Sequence, residues 1–129
     1  MPITLISASL LALLLVYLSY DVTKHRRRSK TSLGDGGDAE LTTAIRAQAN
    51  LVEYAPIGLI LIGLLEQSMV SSTLVAGLAA VLVIGRFMHG LTLGKFEGPS
   101  IYRVISTAST WLVLLVAGIL GLIEAAALL

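Results

Sequence analysis

The sequence predicts an all-α integral membrane protein, a transmembrane four-helix bundle, and three observations carry that prediction. The composition is apolar: 56% of the 129 residues are hydrophobic and 13% charged, with mean hydropathy +0.89, whereas soluble domains average about 25% charged. Four segments of helical, bilayer-crossing length follow one another, at about residues 3–22, 39–66, 71–91 and 99–127. The nine Lys and Arg residues all fall at, or near, ends expected on one side of the bilayer. The whole chain, 1–129, reads as a single membrane domain.

Ile3 to Tyr20 carries no charge, and its eighteen residues span about 27 Å at 1.5 Å each, close to the roughly 30 Å hydrocarbon thickness. Its basic residues come after the apolar run and not before it, so it reads as a retained span, not a cleaved signal peptide. Tyr17 and Tyr20 suit an interfacial aromatic belt. Lys24, Arg26, Arg27, Arg28 and Lys30 follow. Directly after a first span such a run is a topogenic signal, which places residues 21–40 in the cytoplasm and the N-terminus outside. A nucleic-acid surface is not expected. Asp35 and Asp38 are too few and wrongly spaced for an EF-hand loop, no metal-ligand cluster stands out, and Asp38 reads as the N-cap of the second helix. With no cysteine in the chain, disulfides are excluded and any thiol must arrive with a substrate.

The polar cytoplasmic half of the second helix carries the sequence RAQANLVEY, residues 46–54. Arg46, Asn50 and Glu53 fall at i, i+4 and i+7 and so share a face, with Tyr54 one turn beyond Asn50. Pro56, lacking a backbone donor, is expected to kink the helix just beyond Glu53. The third span ends in GRFMHG, which puts Arg86 and His89 one turn apart, and Gly98-Pro99 reads as the entry to the fourth, with Tyr102 and Arg103 at its mouth. Four spans place both termini outside, and three helices deliver polar groups to one cytoplasmic depth. Such groups are costly in a bilayer, so they mark a site unless they serve only as snorkelling arginines and one internal ion pair of Glu53. Several arginines around a single carboxylate favour an anionic ligand.

RAQANLVEYAP at 46–56, SLGDGG before it, GRFMHG at 85–90 and the single arginine at 103 together resemble the MAPEG family, the membrane-associated proteins of eicosanoid and glutathione metabolism. The resemblance covers nearly the whole chain and suggests a bacterial-type member, placed in the inner membrane. It implies a homotrimer of four-helix protomers, with glutathione as co-substrate in a cleft between neighbouring subunits near the cytoplasmic face. It implies that Arg46, Asn50, Glu53, Tyr54, Arg86 and His89 bind glutathione and that Arg103 is catalytic, activating the thiol against a hydrophobic small-molecule electrophile. Arginine forks suit the two carboxylates of glutathione and Glu53 its ammonium. The chain departs from the eukaryotic synthases at Leu91-Thr92-Leu93 and at Ser106 and Thr107, where those enzymes carry tyrosines. The alternative is a non-catalytic scaffold of the same fold that binds lipid or a partner. A small multidrug-type transporter fits less well, because no acidic residue interrupts the first span.

Overall fold

A computed structural model describes residues 1–93 and 100–129. It contains four helices, α1 (Pro2–Ser29), α2 (Ala39–Glu66), α3 (Ser72–Thr92) and α4 (Ile101–Leu128), each long and apolar enough to cross a membrane. α2 and α3 are central. α1 packs on both and α4 packs on both, while α1 and α4 do not touch among the described residues. The expected entry of α4 at Gly98-Pro99 lies outside the described residues.

The first helix is longer than expected. It was predicted to end near residue 22, yet it continues unbroken through the basic run to Ser29, where Lys30 closes it in the left-handed conformation (φ 55°). Lys and Arg are good helix formers, and no Gly or Pro stands among them to stop the helix. Twenty-eight residues make about 42 Å, so its last turns stand clear of a roughly 30 Å hydrocarbon layer. Those turns clamp the start of α2. Arg28 forks both oxygens of Asp38 at 2.7 Å and pairs with Glu40, and His25 sits 3.5 Å from Asp21 and 3.6 Å from Glu40. Asp38 caps α2 by accepting from the Leu41 amide at 2.8 Å. That bond, with Arg28 beside it, holds the Asp38 carboxyl below the usual carboxylate range.

Packing follows a near-heptad stripe on each helix. One continuous core joins Leu11, Leu14 and Leu18 of α1 through Leu51, Ala55 and Ile62 of α2 and Val75 and Leu82 of α3 to Val113 and Ala117 of α4. α2 runs through Pro56 as one helix. The outward faces are equally apolar: Trp111, Leu115 and Leu122 of α4 are well exposed, which costs nothing where the surrounding medium is lipid. At the end of the bundle that holds both termini, the Glu66 carboxylate accepts from the amides of Ile3 and Thr4, each at 2.8 Å, so the close of α2 caps the opening of α1.

Toward the opposite end the interior changes character. The α3 stripe that begins as Val75, Leu78 and Leu82 continues on the same face as Arg86 and His89, both buried. α4 does the same in the opposite direction along the chain, with Ser106 and Thr110 buried before Val113 and Ala117. The polar residues are therefore delivered inward by the same periodicity that builds the core.

Candidate functional site

A cavity of about 410 Å³ opens at this end, lined by Thr42, Thr43, Arg46 and Asn50 of α2, His89 and Thr92 of α3, and Arg103 and Thr107 of α4, with Leu93 and Ser100 at its edge. The volume lies within the roughly 300–1,000 Å³ range of ligand pockets. Two guanidiniums, an imidazole, an amide and several hydroxyls face it, and no carboxylate does among the described residues. An enclosure lined in this way attracts anionic oxygen.

Four residues singled out from sequence thus meet there: Arg46, Asn50, His89 and Arg103. Glu53 stands outside the lining; its Oε1 lies 3.6 Å from Nη1 of Arg46, with the two side chains 50% and 59% exposed. Arg86 and Tyr54 are not lining groups either. Arg86 is sealed behind the cavity at 2% exposure. Its Nη1 donates to Oδ1 of Asn50, its Nη2 donates to the Ser106 carbonyl at 3.0 Å, and Tyr54 lays its ring over the guanidinium, 5.6 Å from the centroid. Arg86 is the knot that ties α2, α3 and α4 together at this depth.

Gly85 lies at a close approach of α3 and α4. A Cβ on it would stand 2.8 Å from Ser109 Oγ and 3.4 Å from the Ser106 carbonyl oxygen, so a side chain there would have to displace the Ser109 hydroxyl and anything larger than alanine would crowd α4. Gly85→Val is expected to lower stability by about 1–3 kcal/mol through overpacking. Thermal unfolding in detergent measures it, and Gly77→Val, at a position with open space around the Cβ, serves as the neutral control.

Sequence reasoning missed Thr42, Thr43, Thr92 and Ser100 as lining groups. A signal existed for the first two, because they precede Arg46 by one turn and extend the Arg46–Asn50 face. Ser106 and Thr107, adjacent on α4, differ in use. Ser106 is fully buried and its hydroxyl donates to the Arg103 carbonyl at 3.0 Å, whereas Thr107 lines the cavity.

Four apolar helices with an arginine-lined cavity at one end define a multi-pass integral membrane protein. The chain belongs to the MAPEG family, whose model matches residues 4–123. It is similar to inner membrane protein YecN of Escherichia coli strain K12, with 37% identity over 108 residues that cover 84% of this chain and 81% of that protein. The YecN protein of an O6:H1 strain of Escherichia coli matches to the same extent. No solved structure gives a significant match.

Proposed function

We propose that the cavity binds glutathione and activates its thiol for attack on a hydrophobic electrophile taken from the bilayer. The observation that carries this reading is the lining itself: Arg46, Arg103, His89 and Asn50 converge with no carboxylate among them. The family is one of glutathione and eicosanoid metabolism, and glutathione supplies two carboxylates and a thiol to such a set of donors. Arg46 and Asn50 suit a carboxylate, and Glu53 beside Arg46 suits the ammonium. Arg103, at the opening of α4, favours the thiolate over the thiol. With an aryl halide, the sulfur anion forms the C–S bond, halide leaves with the bonding pair, and the thiol proton passes to solvent. Thr107 offers a hydroxyl in place of the tyrosine of the synthases.

In this reading the exposed sides of Arg46 and Glu53 face a neighbouring subunit of a homotrimer, since an ion pair turned toward lipid is poorly solvated. The protein sits in a bacterial inner membrane with both termini outside and the arginine-bearing end in the cytoplasm, following the excess of Lys and Arg there. The chain has no cysteine, so Ser32→Cys is the only thiol available for topology labelling. It is expected to resist an impermeant maleimide in intact cells and to react after permeabilisation; labelling in intact cells would reverse the assignment.

The activation itself is read from thiolate absorbance. Glutathione bound to the solubilised protein is expected to show a thiolate band near neutral pH and to conjugate an aryl halide. Saturable binding with neither signal would leave a non-catalytic glutathione-binding scaffold, a reading favoured by the burial of Ser106 at a synthase tyrosine position.

A further inference from the structure

Arg86 is a buried cation whose three partners are all neutral: the Asn50 amide, the Ser106 carbonyl and the Tyr54 ring. None of the ion pairs among the described residues includes it. A guanidinium left without a carboxylate in a low-dielectric interior is costly to keep, and a packed apolar side chain would join the helices at lower cost. Its geometry supplies a reason for its presence.

A guanidinium carries donors only. The atom of the Asn50 side chain that faces it must therefore be the carbonyl oxygen, whichever way an amide is drawn. Nδ2 then points away from Arg86, and Asn50 lines the cavity. No described protein group takes up those two N–H donors. We propose that Arg86 is a positioning residue: it fixes the Asn50 amide with its oxygen inward, so that this corner of the cavity offers only donors and selects a carboxylate over an ammonium. The inference deepens the glutathione reading and rests on it for the identity of the ligand. Arg86 itself, sealed behind Asn50, touches no ligand.

The test uses the full chain in detergent and four variants, Asn50→Asp, Asn50→Leu, Arg86→Gln and Arg86→Gln/Asn50→Asp. Thermal unfolding is measured without ligand, and glutathione is then titrated. Asn50→Asp is expected to unfold no lower than the unmutated protein, because a carboxylate beside Arg86 completes an ion pair. Asn50→Leu is expected to unfold lower, because Nη1 loses its acceptor. In the Arg86→Gln background the Asp substitution is expected to destabilise, since its charge then lacks a partner. Despite its intact fold, Asn50→Asp is expected to bind glutathione at least tenfold more weakly, a split that a purely structural contact does not produce. Two results would overturn the proposal: an Asn50→Asp stability effect that is the same with and without Arg86, or glutathione affinity unchanged in Asn50→Asp. If the unmutated protein shows no saturable glutathione binding, the ligand reading fails. The ligand-free stability pattern then decides the amide orientation alone, its presence supporting the proposal and its absence overturning it.

Discussion

Arg103→Ala is expected to slow glutathione conjugation to an apolar aryl halide about tenfold at pH 7, with a much smaller change in glutathione affinity. A free thiol with a pKa of about 8.5 is only a few per cent ionised at neutral pH, whereas one lowered to about 7 is half ionised, and the ratio sets the size of the effect. Arg103 lines the cavity, and an interaction made mainly with anionic sulfur acts on the reacting form more than on the peptide's carboxylates. The pH dependence sharpens the test. The deficit should close above about pH 9, where the thiol ionises without help. Equal losses in rate and affinity, unchanged by pH, would assign Arg103 to a carboxylate instead.

Glu53→Gln is the second large effect, and it separates a ligand group from a staple. The Arg46–Glu53 pair is 3.6 Å apart and at least half exposed on both sides within one protomer, so it does little to hold the four helices of that protomer together, about 0–1 kcal/mol. A charge-assisted bond to the glutathione ammonium is worth more. The variant is expected to bind glutathione more weakly by about 1–3 kcal/mol, roughly five- to 150-fold, while its thermal unfolding hardly moves. Unchanged affinity with a large fall in thermal stability would retire the ligand role.

Three of the spans were legible because a charge-free run of eighteen or more residues has few other uses, and the second, interrupted by Glu53, from its apolar run 54–65 and its place between the others. The end of α1 was not, because Lys24 to Arg28 are as compatible with a helix as with a loop once the chain has left the hydrocarbon. Arg46 and Asn50 were legible as a shared face, and the α3 stripe through Arg86 and His89 as a helical turn. The division of labour among them was not. Whether an arginine lines a cavity or lies behind it depends on the depth at which three helices meet. Arg86 is held there partly by the Ser106 carbonyl, a backbone group that leaves no trace in side-chain patterns. The missing approach of a Cβ at Gly85 likewise shows only when α4 is placed against it.

The central claim, that the arginine-lined cavity of this MAPEG protein takes glutathione, is tested most directly by isothermal titration of glutathione into the solubilised protein, repeated with Arg46→Ala. Arg46 is 59% exposed and lies at the cavity wall, so its removal should leave the fold intact while taking away a carboxylate partner. The account predicts saturable binding that weakens at least tenfold in the variant, as the loss of a charge-assisted bond implies. No saturable heat in the unmutated protein, or identical isotherms for the two, would contradict it.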